Sequence, residues 1–210
     1  MPIPRVALTW ESIWHLPAPG DATERAMLAD RRGRVVLSGY ALYTDATTER
    51  EFDSFALPVI RNLAASRTRA ILTLVESAIT FDAARVRRAL ELARLLGVLS
   101  LVEIRGVWSS TLLELLAAAG PNYLRLAPDL VQGAAVMPEQ FQTIVQIAEF
   151  ARERRMLLVA RNPGDGNELD AIRVGGIDLV QFGSIPIETH ADGSLPNQSD
   201  YRNRKREVRR

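Results

Sequence analysis

Residues 71–104 read ILTLVESAITFDAARVRRALELARLLGVLSLVEI, and the fold class follows from how this stretch changes period. Ile71 to Val75 is a short apolar run of strand length. Asp82 then stands where a helix N-cap belongs, and Val86, Ala89, Leu90, Ala93 and Leu96 recur at helical spacing before Gly97. Val98 to Ile104 returns to a near-continuous apolar run and predicts the next strand.

Moving outward, the alternation continues toward the C-terminus. Ser109 to Ala119 predicts a helix that Gly120 and Pro121 stop, and Tyr123 to Leu126 a strand. Pro138 opens a helix that puts Phe141, Ile144, Val145, Ala148 and Ala151 on one face. Met156 to Ala160 reads as a strand, Asn167 to Val174 as a short helix, and Ile177 to Phe182 as a further strand. Apolar strands alternating with amphipathic helices are parallel strands covered by helices, because only burial on both faces tolerates so little polarity. A (β/α) barrel and a doubly wound sheet both satisfy that pattern.

The first seventy residues are less regular. Arg5 to Trp10 predicts a strand, His15 to Asp21 a Pro/Gly loop, and Asp30 to Gly33 a turn feeding the run Val35 to Leu42. Thr47 to Leu63 has helical spacing, which Pro58 is expected to kink or break. Residues 1–188 are expected to form one domain and 189–210 a polar, basic and disordered tail.

The chain has 210 residues and is 47% hydrophobic, enough for one well-buried core. It has no cysteine, which excludes disulfides and thiolate metal sites. No apolar run reaches the roughly 20 residues of a membrane span. The expected protein is cytoplasmic, with no membrane partner. Residues 202–210 carry six bases and one acid, a local +5 against +1 for the whole chain, so the body carries −4. Lys205 is the one lysine, which leaves arginine as the cation of the body.

Several segments together resemble the EAL family of cyclic di-GMP phosphodiesterases. Leu74-Val75-Glu76-Ser77 is similar to the family's Ile-Thr-Glu-Ser strand end, and Val102-Glu103-Ile104-Arg105-Gly106 to its Leu-Asp-Asp-Phe-Gly segment, with Ser109-Ser110 after it. Leu124-Arg125-Leu126-Ala127 resembles Leu-Lys-Ile-Asp, Leu158-Val159-Ala160-Arg161 resembles Val-Val-Ala-Glu, and Leu179-Val180-Gln181 with Pro186 resembles Val-Gln-Gly and its proline. Upstream, Gly33-Arg34-Val35-Val36 and Tyr40-Ala41-Leu42 are similar to the Gly-Arg-Ile-Val and Glu-Ala-Leu strand. The resemblance implies a TIM-like barrel, shortened or remodelled in its first half, because the Asn-Leu-Ser strand has no counterpart before Ile71.

It also implies what the site has lost. The family hydrolyses a phosphodiester with two divalent cations held by acids and amides at strand ends. Here the Glu-Ala-Leu glutamate becomes Tyr40, or Ala41 with a one-residue slip, and the second Asp of the pair becomes Ile104. The lysine becomes Arg125, which cannot shed its proton, while Ala127 and Arg161 replace two further acids. Glu76 is unchanged, and Glu103 keeps the charge on a longer arm.

The implied protein is a non-catalytic regulatory domain that binds another protein, with no cofactor, no metal and no catalytic residue. A homodimer is consistent with the resemblance, and nucleic acid is not an expected partner. Arg105, Arg125 and Arg161 are the candidate anion-binding residues, for cyclic di-GMP or another phosphorylated ligand. Pairing of those arginines with Glu76 and Glu103 is the favoured alternative. The family's nucleotide-binding Gln-Pro-Ile and post-Ala-Leu arginine correspond to Arg25-Ala26-Met27 and Tyr43-Thr44, which argues against cyclic di-GMP. His15 and His190 are read as surface residues, Ser109-Ser110 as a helix cap, Gly164-Asp165-Gly166 as a turn, and Trp10, Trp14 and Trp108 as packing anchors.

Overall fold

The apolar runs become a ring of strands. The structure, a computed structural model, describes residues 6–16, 34–44, 57–65, 70–106, 108–183 and 185–187. Strands β2 (Val35–Thr44), β3 (Ala70–Val75), β4 (Leu99–Ile104), β5 (Tyr123–Leu126), β6 (Leu157–Arg161) and β7 (Leu179–Gln181) pair in parallel and in chain order. Strand β1 (Val6–His15) runs antiparallel between β7 and β2, so the pairings close on themselves. A short strand β8 (Ile185–Ile187) lies beside the other half of β1, antiparallel to it.

Helices cover the outside: α1 (Leu57–Ala65), α2 (Glu76–Phe81), α3 (Ala83–Leu95), α4 (Ser110–Ala119), α5 (Pro128–Val131), α6 (Pro138–Glu153) and α7 (Gly166–Val174). The expected caps are in place. Asp82 accepts the Arg85 N–H and Ser109 the Leu112 N–H, while Gly120 ends α4 at φ 60°, a conformation glycine adopts without Cβ strain.

Several boundaries differ from the sequence reading. β1 runs on to His15, where a loop was expected, because pairing with both β2 and β7 holds the additional residues. Among the described residues Pro58 is the second of α1, and the residues immediately before Leu57, where a kink or break was expected, lie outside the described set. The expected helix residues before Leu57, the loop and turn within 17–33 and the tail 189–210 lie outside the described residues. The Gly164-Asp165-Gly166 turn also caps a helix, Asp165 accepting the Glu168 N–H at the head of α7. Helices α2 and α5 and strand β8 were not expected; they are six, four and three residues long, and tertiary contacts rather than local periodicity sustain such lengths.

The two faces of the strands build two cores. Outward residues such as Leu72, Leu74, Val102, Leu124, Leu126 and Val180 pack under the helices. Inward ones, Ile13, Leu37, Ile71, Leu101, Tyr123, Val159 and Leu179, pack against each other inside the ring. Replacing the fully buried Leu101 by alanine opens a cavity in that inner layer and is expected to cost about 2–5 kcal/mol in urea unfolding. Leu95→Ala, at an exposed position, is expected to stay within about 0.5 kcal/mol of wild type.

Candidate functional site

A period of two carries the inner face of each strand from an apolar layer to a polar one. Along the parallel strands the inward pairs are Ile71 then Thr73, Leu101 then Glu103, Tyr123 then Arg125, Val159 then Arg161, and Leu179 then Gln181. β1 runs the other way, and its order is reversed, Thr9 and Glu11 before Ile13. These six of the ring's seven staves therefore bring polar side chains to the end where the parallel strands finish, the end at which barrel enzymes build their sites.

Glu103 is the hub. Its carboxylate is fully buried and faces three guanidinium groups. Arg125 Nη2 lies 2.6 Å and Arg161 Nη1 2.7 Å from its Oε2, and Arg105 Nε donates to Oε1 at 2.5 Å. Arg105 Nη2 also pairs with that oxygen. Arg125, itself at 0% exposure, turns its other nitrogen to Glu11 Oε2 at 2.8 Å and Gln181 Oε1 at 2.7 Å. Thr9 donates to Glu11 Oε1 at 3.2 Å. One arginine thus ties the antiparallel β1 to β4 and β7 across the ring.

Glu76, at the start of α2, takes a different partner. Its Oε2 accepts the backbone N–H of Arg105 at 3.0 Å. Gly106 makes this approach open, since a Cβ there would collide with Glu76 Oε1. The three arginines named from sequence are therefore brought together with Glu103, while Glu76 holds the chain that leaves β4. The sequence reading missed Glu11, placing it just beyond the first strand. The reversed order Glu11-Ser12-Ile13, polar before apolar, is the signal that an antiparallel stave leaves.

The candidate counterpart of Gln-Pro-Ile, residues 25–27, lies outside the described residues, as do the side chains of Tyr40 to Thr44. On one edge β2 is hydrogen-bonded to β1, whose Glu11 and Ile13 face inward. His15 ends β1 on the surface, its Nδ1 2.8 Å from Leu16 O, and His190 lies outside the described residues. Trp14 packs on Phe182 and Trp108 edge-on to Phe150, both as anchors. The side chain of Trp10 is outside the described set.

Electrostatics fix the ionisation of the hub. Burial pushes the Glu103 pKa up, but Arg125, Arg161 and Arg105 outweigh it and hold the carboxyl below the ordinary glutamate value. Glu11, Glu76 and Glu103 stand against Arg105, Arg125 and Arg161, three charges of each sign. Among the described residues no group of three or more acidic, histidine or cysteine side chains is placed to hold a metal ion. No helix among them is long and apolar enough to cross a membrane.

Three solved structures share this architecture. The EAL domain of Mycobacterium smegmatis DcpA superposes with a TM-score of 0.60 at 14% identity, over 86% of this chain and 93% of that one. The EAL enzyme Bd1971, bound to cAMP and cyclic di-GMP, gives 0.60 at 11% identity over 86% of this chain, which spans 62% of that protein. A standalone EAL protein from Vibrio cholerae O395, bound to cyclic di-GMP, gives 0.54 at 11% identity over 86% of this chain and 92% of that one. The fold is EAL-like. No family model matches the sequence, and no curated protein matches it either.

Two measurements test the hub. Arg125→Met leaves Glu103 and Glu11 short of a buried counter-charge and is expected to cost about 3–5 kcal/mol in chemical denaturation. The depressed Glu103 pKa means the folded state holds fewer protons than the unfolded one once pH falls below the unfolded glutamate value. Stability is therefore expected to be full above that value and to fall as acid titrates the folded carboxylate. Glu103→Gln should be less stable at neutral pH and lose part of that acid dependence.

Proposed function

We propose that this chain is a non-catalytic EAL-like domain that works as a protein-interaction and regulatory module in bacterial, cytoplasmic signalling. One observation carries the reading: the Glu103 carboxylate is shared by three guanidinium groups, one of which bridges on to Glu11. Metal-assisted phosphodiester hydrolysis needs carboxylate oxygens free to face divalent cations. Three fixed positive charges around the best-placed carboxylate oppose a cation, and Arg161 and Arg125 stand where the family resemblance puts an acid and a lysine.

The same pairing weakens the receptor alternative. Arg125 is fully buried, the Nη1 of Arg161 is committed to Glu103 and Arg105 pairs with the same carboxylate, so all three candidate anion ligands serve internal acids. Within this cluster of described residues the three acids balance the three arginines, which leaves it no excess positive charge to attract a nucleotide phosphate. The ring of seven staves supports a barrel shortened in its first half, with β2 feeding β3 directly through one described helix. An apolar hollow of about 410 Å³ lies outside the ring, between the α5–α6 connection and α7, with Val136 and Met137 exposed at it; it favours contact with a protein over polar chemistry.

Incubation with cyclic di-GMP and either magnesium or manganese is expected to yield no linear dinucleotide above a Glu76→Ala control. Calorimetry with cyclic di-GMP is expected to show no heat of binding at micromolar concentration. Submicromolar binding abolished by Arg161→Ala would overturn the reading in favour of a nucleotide receptor.

A further inference from the structure

The opposite end of the ring, where the parallel strands begin, carries a surface that meets the hollow of the proposed function only at Val174. Among the described residues, four of the six exposed large hydrophobic side chains stand there: Val35, Leu95, Leu157 and Val174, at 50%, 84%, 49% and 77% exposure. Leu95 and Val174 are the last residues of α3 and α7, and Val35 and Leu157 the first of β2 and β6. Each has an arginine within two positions, in Arg34-Val35, Arg94-Leu95, Arg155-Met156-Leu157 and Arg173-Val174.

The turns that present them form one continuous rim. His15 N–H donates to Arg34 O, and Leu16 N–H to Asp178 O, which joins the starts of β2 and β7 through the end of β1. Arg152 lies against Gly176, Leu157 N–H donates to Asn122 O, and Arg94 Nη2 donates to Gly120 O at 3.2 Å. Arg34, Arg94, Arg152, Arg154 and Arg155 are exposed on this rim against the exposed acids Glu153 and Asp178, and Arg173 pairs with Asp170. Among the described residues this end therefore carries more bases than acids, in a body that carries −4 overall.

Basic residues at helix C-termini complement the helix dipole, which accounts for part of the charge. It does not account for exposed aliphatic side chains beside them. Burying such tips is favourable only against an apolar phase, and guanidinium groups bond phosphate oxygens. Val35, Leu95 and Leu157 are spread around the ring outside any groove, and Val174 lies at the edge of the hollow beside α7. A fluid layer can take up separated tips one by one, whereas a folded partner needs a matching pocket for each.

We propose that this end of the barrel docks on the surface of an anionic phospholipid bilayer, the aliphatic tips entering the headgroup boundary and the arginines meeting the phosphates. The contact is peripheral and requires no spanning helix. It goes beyond the proposed regulatory role and stands independently of it.

Co-sedimentation of the full chain with vesicles of phosphatidylcholine and phosphatidylglycerol, against vesicles of phosphatidylcholine alone, tests it. Binding is expected to the anionic vesicles and to weaken with salt. Arg154→Glu with Arg155→Glu should weaken it by about tenfold or more. Leu95→Ser with Val174→Ser leaves every charge in place and should also weaken it, by about tenfold. All four positions are exposed; the serine pair is expected to leave the thermal melt unchanged, and the glutamate pair, at the C-terminal end of α6, to lower it by no more than a few degrees. The basic segment 202–210 could itself bind anionic vesicles by charge alone. Binding that survives the serine pair undiminished would assign the effect to that segment and overturn the proposal, as would absence of binding to anionic vesicles at low salt.

Discussion

The buried carboxylate of Glu103 sets the terms for the rest of the molecule. A charge taken fully out of water survives only where opposite charges and hydrogen-bond donors replace its hydration, and here three guanidinium groups do so. Each brings a different part of the chain: Arg105 the exit from β4, Arg125 the neighbouring stave, Arg161 the stave beyond. Arg125 then needs a second acid, which Glu11 supplies from the antiparallel strand that closes the ring. Closure of the barrel and neutralisation of its polar layer are thus one requirement met by one set of side chains.

That requirement explains which parts of the fold were legible in the sequence. From Ile71 onward the alternation of strands and helices is written in local periodicity, and the structure follows it to within a few residues. The convergence of Arg105, Arg125 and Arg161 was legible too, because all three stand at or just after the ends of parallel strands. Glu11 was not. Its place on the inner face depends on a strand that continues past Trp10, and that continuation comes from pairing with β2 and β7, partners distant in sequence. Strand direction is likewise absent from local pattern, although the reversal of polar and apolar positions in Glu11-Ser12-Ile13 encodes it once the ring is known.

Glu76 shows a subtler limit. Sequence places it at the mouth as an acid available to a guanidinium, and the structure gives its carboxylate to a main-chain N–H. The difference rests on Gly106, whose missing side chain lets the carboxylate reach the backbone leaving β4. A carboxylate that accepts from the main chain fixes loop geometry, and it adds negative charge to the mouth without occupying any arginine. The balance of three acids and three bases is reached by this division of labour.

A barrel whose polar layer is satisfied from within differs from one whose layer is completed by a ligand. In the second, the protein leaves charge uncompensated at the strand ends, and binding supplies the missing counter-charge. Here Arg125 lies in the layer as a covalently attached cation, between two acids, and cannot be exchanged. Substituting one arginine by an acid would leave the others in place around Glu103 and would add a buried negative charge with no donor arranged for it. Under the proposed non-catalytic role, a single substitution would not supply a metal site at this mouth, and selection on the domain has most freedom to act on its outer surfaces: the hollow beside α7 and the arginine-rich rim at the far end of the ring.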